Sequence, residues 1–251
     1  MKPMRVGFSV GLVGVIAALA SAASAGTGVG KLELPAVDRG PVIAKGFLDR
    51  VENPLAEIKK PNIAPYFIVA LEGEARAGGP APAEVKWDLV GESFARPVIG
   101  VPVGTEVVIK NRTKLAWTIG AAEDAKLMVG PLNPQGTKSF RATAPAVYTI
   151  GDKDAPYLRG KIVVVATPYV AALDDGGRFE MTNVPDGTYK LRVYYYDPAA
   201  EARGRASAWL PFTTAVTVAT KGKLNRAEVS ARLTAADLLS GPASGPVPGK
   251  K

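Results

Sequence analysis

From residue 42 onward, short apolar or alternating runs are separated by Gly, Pro and Asp. Runs of this kind, each followed by a turn signal, predict β-strands rather than helices. The predicted strands are 42–48, 66–72, 85–90, 98–101, 106–110, 137–141, 146–150, 161–166, 178–181, 188–196, 214–219 and 226–233. Two short helices are expected, at 54–60 and at 235–239, the second with Thr234 as its N-cap. The pattern indicates an all-β protein built from sandwiches or barrels.

The two ends of the chain have patterns of their own. Residues 1–25 combine a basic start, an apolar run and the small-residue sequence "SAASA". This pattern predicts a secretory signal peptide cleaved after Ala25, and the apolar run is short for the alternative, an uncleaved membrane anchor. Residues 26–41 are rich in Gly and Pro and are expected to form a flexible arm. The tail 240–251, "SGPASGPVPGKK", is expected to be disordered. The protein is therefore expected in the periplasm or outside the cell, with no membrane span after cleavage.

The composition excludes several classes of chemistry, because the chain has no His and no Cys. A Ser-His-Asp triad, a thiolate nucleophile, a His/Cys zinc site and a blue-copper site all need one or both residue types. No pair of carboxylates has a spacing that indicates acid–base catalysis, so we expect no enzyme. The net charge of +8 comes from scattered basic residues. It favours attraction to anionic envelope surfaces over nucleic-acid binding, which needs a concentrated basic stripe.

The segment "RPVIGVPVGTEVVIKNRTKLAWTIG", residues 96–120, resembles part of a plastocyanin/azurin-like cupredoxin. Its pattern P-x-G-x-x-V-x-x-x-N matches at Pro102, Gly104, Val107 and Asn111. In cupredoxins a first His copper ligand follows this Asn within a few residues. The resemblance implies that the corresponding position in this chain falls on or beside Trp117.

A second segment, "VYTIGDKDAPYLRGKIVVV" at 147–165, resembles the copper-binding loop of the same family. The resemblance implies a Cys position between Ile150 and Asp152, with Gly151 as the candidate. It also implies a second His position within Lys153–Pro156, with Asp154 as the candidate, and the axial Met position at Leu158. Blue copper needs thiolate and imidazole donors, and none is present. We therefore expect no cofactor and no metal. Trp117 and Leu158 are interpreted as apolar plugs of a vacant site; alternatively, Trp117 is an ordinary core residue or an exposed anchor for a partner.

A third segment, "DDGGRFEMTNVPDGTYKLRVYYYD" at 174–197, resembles a carboxypeptidase regulatory-like (transthyretin-like) β-sandwich module. The pattern D-x-x-G-x-F…V-P-x-G-x-Y-x-L-x-V begins at Asp174, and Tyr189 marks its second strand. Side chains alternate between the two faces of a strand, so every second residue from Tyr189 onward is expected to face a core. The turn at 185–187 is expected to use a positive φ at Gly187. Modules of this family are usually structural or binding domains.

Together the segments resemble exported bacterial proteins of the methylamine-utilisation or plastocyanin-like type. The stretch "APYFIVALEGE" at 64–74 also matches the pattern of these proteins. The implied organisation is a carboxypeptidase regulatory-like sandwich at 42–73 plus 167–239, with a cupredoxin-like Greek-key domain at 74–166 inserted into it. Insertion at a loop with neighbouring ends is thermodynamically mild. The alternative is two sequential sandwiches packed against each other.

Two further features have competing interpretations. Alternation places Tyr194 and Tyr196 on one face, and with Trp209 they form a candidate binding surface; the alternative is a contact between domains. The pairs Asp152/Asp154 and Asp174/Asp175 are interpreted as turn formers rather than calcium ligands.

The sequence therefore predicts a non-catalytic, exported β-sandwich protein that acts as a binding or structural module of the cell envelope. The expected partner is an envelope protein or glycan, and no nucleic acid. The alternative is a periplasmic electron-transfer or copper-handling protein.

Overall fold

The structure, a computed structural model, describes residues 25–35, 62–73, 82–124, 127, 130–141, 143–201, 208–218 and 226–239. The strands are β1 Ala25–Glu33, β2 Phe67–Glu72, β3 Glu84–Val90, β4 Ser93–Phe94, β5 Val98–Pro102, β6 Glu106–Asn111, β7 Ile119–Ala121, β8 Thr137–Arg141, β9 Ala146–Asp152, β10 Arg159–Val165, β11 Val170–Ala172, β12 Arg178–Pro185, β13 Gly187–Tyr195, β14 Ala208–Val218 and β15 Arg226–Arg232. The helices are α1 Pro198–Glu201 and α2 Ala235–Leu239. The prediction of an all-β protein is confirmed.

Several predicted features lie outside the described residues: the signal peptide up to residue 24, the strand 42–48, the helix 54–60 and the tail 240–251. The short helix expected at 235–239 is present as α2. Within the part of the chain that the structure describes, no helix is long and apolar enough to cross a bilayer.

The strands form four sheets, which we call A (β12-β1-β15), B (β11-β2-β13-β14), C (β4-β3-β6-β8) and D (β5-β10-β9-β7). Sheets A and B enclose one apolar core and form the first sandwich. Sheets C and D enclose another core and form the second sandwich, whose strands all come from residues 84–165. In chain order the second sandwich is inserted between β2 and β11, which are antiparallel neighbours in sheet B.

The expectation of a flexible arm at 26–41 is wrong over residues 26–33, which form most of β1 at the centre of sheet A. This strand is antiparallel to β12 and parallel to β15. Its inward positions are Gly28, Gly30 and Leu32. Because two of these three carry no side chain, the usual alternation of apolar and polar residues is missing from the sequence. Residues 36–41 lie outside the described residues.

The D-x-x-G-x-F segment forms a turn that is fastened to β1. The Oδ1 atom of Asp174 accepts hydrogen bonds from the backbone N–H groups of Gly176 (2.9 Å) and Arg178 (2.7 Å). Gly177 has a φ of 75°, and a Cβ added there would lie 2.6 Å from the carbonyl oxygen of Leu32. Asp174 thus has the turn-forming role that was preferred over calcium binding.

The V-P-x-G-x-Y segment forms a corner between sheets. It carries the chain from β12 in sheet A to β13 in sheet B, so the expected positive-φ turn at Gly187 is wrong: the left-handed residue nearby is Asn183, with a φ of 57°. The hydroxyl of Tyr189 donates to the carbonyl oxygen of Pro185 (2.8 Å). This bond fixes the corner much as the tyrosine corner does in immunoglobulin-like sandwiches.

The two sandwiches are joined through the outer faces of sheets B and D, a contact that we call the sandwich interface. Strand β2 is buried on both faces: Phe67, Val69 and Leu71 lie in the first core, whereas Ile68 and Ala70 face sheet D. Strand β10 is buried in the same way, and its Val163 and Val165 face sheet B. The four sheets are therefore stacked in the order A, B, D, C.

Gly100 in β5 allows the two sandwiches to approach closely. A Cβ at this position would lie 2.5 Å from Cγ2 of Val170 and 2.6 Å from Cγ2 of Ile68. Real Cβ atoms do not come this close to other heavy atoms, so any larger residue would push sheets B and D apart.

A nearly buried ion pair also crosses the sandwich interface. The Nζ atom of Lys161 in β10 lies 2.8 Å from Oε1 of Glu201 in α1, and it donates to Oγ1 of Thr149 at 2.7 Å. The side chains of Lys161 and Glu201 are 10% and 19% exposed. Lys161 also lies over the ring of Tyr196, 5.7 Å from its centroid.

Removing one partner of this pair is expected to destabilise the protein. We predict that Glu201→Gln lowers the free energy of unfolding by about 3 kcal/mol, because the Lys161 ammonium would be left buried without its counter-charge. Asp88→Asn is the matched control, since it breaks the more exposed Asp88–Arg112 pair and should cost less than about 1 kcal/mol. Urea denaturation of both variants checks the difference, and equal effects would contradict it.

Candidate functional site

The candidate site is the end of the second sandwich where loop 112–118 meets loop 153–158. Trp117, Ala155 and Leu158 belong to the second core at this end, with exposed fractions of 6%, 6% and 0%. All three side chains pack against other core residues, so they do not line a space that a ligand could enter.

Trp117 is held by its backbone and by its ring. Its backbone N–H donates to the carbonyl oxygen of Leu132 (3.1 Å), and its own carbonyl accepts from the Leu132 N–H (2.7 Å). The indole Nε1–H donates to Oγ1 of Thr113 at 3.0 Å. The alternative that Trp117 is an exposed anchor for a partner is therefore wrong.

Asn111, at the end of β6, organises the loops around Trp117. It is completely buried. Its Nδ2 group donates to the carbonyl oxygens of Leu115 (2.7 Å) and Asn133 (3.1 Å). Its Oδ1 atom accepts from the N–H and the hydroxyl of Thr113, at 2.8 and 2.7 Å. One amide side chain thus ties loops 112–118 and 131–136 together, which gives a physical reason for an Asn at this place in the motif.

Asp152 connects the second loop to the first. Its side chain points inward from the last position of β9, and the residue is 8% exposed. Oδ2 accepts from the backbone N–H of Thr118 (2.6 Å), and Oδ1 accepts from the N–H of Asp154 (2.8 Å). Both carboxylate oxygens therefore bind backbone donors of this chain.

Two of the four positions assigned from the cupredoxin resemblance do not face this end. A Cβ on Gly151 would lie 2.7 Å from the carbonyl oxygen of Leu158, so a Cys there would collide with the backbone. The Asp154 side chain is 76% exposed and lies 3.8 Å from Lys153. The inward positions are Asp152 and Ala155 instead. Because side chains alternate along a strand, the apolar Ile150 could have indicated that Asp152, two residues later, also faces inward. The loop geometry that turns Ala155 inward has no signal in the sequence.

The inward side chains Trp117, Asp152, Ala155 and Leu158 do not form a metal site. Of these four, only Asp152 has a strong metal-ligating atom, and both of its carboxylate oxygens already accept hydrogen bonds from backbone N–H groups. Within the described ranges, no group of three or more His, Cys, Asp or Glu side chains comes together. Met181, a possible sulfur donor, lies in the core of the first sandwich and is 4% exposed.

The candidate binding surface at Tyr194, Tyr196 and Trp209 is wrong as an exposed surface. Alternation does place Tyr194 and Tyr196 on the face of β13 opposite the first core, but this face is covered by sheet D. The two tyrosines are 1% and 4% exposed, and Trp209 is half-buried against them. Burial, followed by the charge of Glu201, raises the pKa of Tyr196 to about 12. These residues therefore form the contact between domains that was the alternative interpretation.

Sequence reasoning missed an exposed apolar pair at the candidate site. Leu115 in loop 112–118 is 56% exposed, and Tyr157 in loop 153–158 is 62% exposed. In the sequence they come shortly before the buried Trp117 and Leu158, and we call the two side chains the Leu115–Tyr157 patch. Nothing in the alternation of these short loops indicates that both side chains point outward.

Among solved structures, a reduced mutant of amicyanin is 18% identical and matches over 39% of this chain and 98% of its own length, with a TM-score of 0.31. An oxidised amicyanin mutant is 20% identical over the same shares, with a TM-score of 0.31. A copper-containing nitrite reductase from Thermus scotoductus SA-01 is 24% identical over 38% of this chain and 25% of its own, with a TM-score of 0.30. All three have the cupredoxin fold, and no protein-family model or curated protein matches the chain. The carboxypeptidase regulatory-like resemblance stays a prediction.

Trp117 is expected to be a major contributor to the stability of the second sandwich. We predict that Trp117→Ala lowers the free energy of unfolding by about 3–5 kcal/mol, since it leaves a large cavity in the core. Trp117→Phe should lower the free energy of unfolding by less, because it keeps an aromatic ring in the core. Its remaining cost includes the lost hydrogen bond to Thr113. Trp209→Ala is the control for loss of an indole that is only half-buried. Chemical denaturation checks the order, and an effect of Trp117→Ala below about 1 kcal/mol would contradict the packing role.

Proposed function

We propose that the chain is a non-catalytic, exported protein of the cell envelope that acts as a binding or structural module. One observation carries the proposal: the end of the second sandwich is closed by Trp117 and Leu158, and the carboxylate of Asp152 there binds backbone donors. With no His or Cys in the chain, this end offers neither a general base of the usual kind nor a blue-copper donor set.

Export is supported by the first 25 residues, which have the basic start, apolar run and small-residue end of a signal peptide. Cleavage after Ala25 would leave Gly26 as the first residue and would retain nearly all of β1. The net charge is +8 for the whole chain and +6 once Lys2 and Arg5 are removed with the signal peptide, and it also suits an environment of anionic lipids and glycans.

The Leu115–Tyr157 patch is the surface that we assign to partner binding. Large apolar side chains that stay exposed can mark a binding surface, and Tyr is among the residue types enriched in interface hot spots. The patch lies on loops fixed by Asn111 and Asp152, so its geometry is set before binding. The expected partner is an envelope protein or glycan.

An affinity capture with the mature chain, using a solubilised envelope extract, tests the proposal. We predict that one envelope component is recovered reproducibly and that Tyr157→Ala reduces its recovery at least about tenfold, as loss of an interface anchor does. Thr217→Ala is the control, because Thr217 is exposed on β14 of the first sandwich and lies away from loops 112–118 and 153–158. Equal recovery by the Tyr157→Ala and wild-type chains would reject the patch, and recovery of no component would contradict the binding function.

A further inference from the structure

The predicted signal-peptide cleavage site lies within a paired strand. Strand β1 starts at Ala25, so the bond between Ala25 and Gly26, which is the bond expected to be cut, is part of the strand. Ala25 is paired with Pro185 of β12, and Gly26 is paired with Val184. The opposite edge of β1 is paired with β15 from Thr27 onward. The residues on the mature side of the bond therefore have strand partners in sheet A.

Cleavage at this bond requires an extended and accessible chain. A peptidase that recognises the small-residue pattern must contact the chain on both sides of the bond, and extended peptides are commonly bound by pairing their backbone with a strand. In sheet A the backbone of β1 is already paired, and Gly28 and Gly30 face the first core. The start of β1 must therefore leave sheet A before a peptidase can act on the bond.

Leu32 is the inward side chain that anchors β1. It is 1% exposed and belongs to the first core, whereas the inward positions Gly28 and Gly30 carry no side chain. The backbone N–H of Leu32 also donates to the carbonyl oxygen of Gly177 (2.8 Å). Because β1 contributes a single large side chain to this core, removal of that side chain should loosen the strand more than a change at an exposed position such as Lys31.

The partners of β1 come late in the chain. Strand β12 begins at Arg178 and β15 begins at Arg226, and all the strands of the second sandwich precede them. A chain that is exported from its N-terminus therefore presents the cleavage site well before either partner strand. At about 5–20 residues per second, synthesis of the stretch between β1 and β12 takes on the order of 10 s. Pairing between segments so far apart in sequence is also slow, because a long loop must be closed.

We propose that a signal peptidase cuts the bond between Ala25 and Gly26 only while β1 is outside sheet A, so that processing precedes closure of the first sandwich. Water is added across the bond: the carbonyl carbon of Ala25 takes the hydroxyl and becomes a carboxyl group, and the nitrogen of Gly26 takes the proton and becomes a free amino group. Once β1 lies between β12 and β15, sheet A protects the bond. The inference rests on the proposed export and adds an order of events to it.

The test uses the full chain, including residues 1–25, purified in detergent and unfolded in urea. In the first arm the chain is diluted into buffer that already contains a bacterial signal peptidase. In the second arm it refolds before the same amount of peptidase is added. Intact-mass spectrometry measures the product that begins at Gly26. We expect at least about tenfold less of this product in the second arm at equal times, because cleavage then depends on the small population in which β1 has opened.

Two variants of β1 separate protection by the strand from other effects of folding. Leu32→Ala should raise cleavage of the refolded chain at least about tenfold, because it loosens β1 in sheet A. Lys31→Ala is the matched control, since it removes an exposed side chain from the same strand and should leave the protection unchanged. Both variants should be cut like the wild type in the first arm. If Leu32→Ala does not refold, the two arms of the wild-type chain still decide the question.

Equal amounts of the Gly26 product in the two arms would overturn the inference, as would a refolded Leu32→Ala chain that stays as protected as the wild type. Either result leaves the proposed export intact, because the signal peptide is still removed. If no product forms in either arm while an unrelated precursor is cut, the signal-peptide prediction fails and the inference fails with it. The A-x-A pattern also ends at Ala22, so a product that begins at Ala23 and appears only in the second arm would support protection of the later bond by β1.

Discussion

The structure depends on one packing constraint: β2 and β10 must be covered on both faces. In β2, Ile68 and Ala70 need an apolar partner outside the first core, and in β10, Val163 and Val165 need one outside the second. The sandwich interface provides both, and burial of apolar surface on this scale is the main source of stability in such folds. Gly100 permits the close approach, and the Lys161–Glu201 pair adds a directional contact at the same interface.

The same constraint determines what the rest of the molecule presents to solvent. Because sheets B and D face each other, the aromatic residues on the outer face of β13 are used for packing and not for binding. Among the described residues, the surface that we propose for partner binding is the loop end of the second sandwich. At the loop end, Asn111 and Asp152 hold the loops by hydrogen bonds, and the Asp152 oxygens that could bind a metal accept from backbone N–H groups. Closure of that end and the exposure of Leu115 and Tyr157 therefore arise from one arrangement of loops.

Much of the fold could be predicted from sequence, and the failures have physical reasons. Long alternating strands such as β13 were predicted because one face is apolar throughout. Strand β1 was missed because Gly28 and Gly30 remove the side chains that would have shown its inward face. Strands β4, β7 and β11 have two or three residues each, too few for a period to be visible.

The candidate site was predicted less well than the fold. Trp117 and Leu158 were placed correctly in the closed end, but Gly151 and Asp154 were not. Tyr194 and Tyr196 were assigned to the correct face of the sheet. The signal that this face is buried was available in the continuous apolar runs "FIVAL" of β2 and "IVVV" of β10, because such runs indicate strands covered on both faces.

We expect the closed end of the second sandwich to bind no metal. Titration of the mature, metal-free chain with Cu(II) and with Cu(I), followed by absorption spectroscopy and by analysis of bound copper after gel filtration, tests it most directly. We predict no thiolate-to-copper charge-transfer band and no stoichiometric copper on the protein, because the chain has no His or Cys and Asp152 is engaged by backbone donors. A tight one-to-one copper complex that is lost in Asp152→Asn would contradict the account.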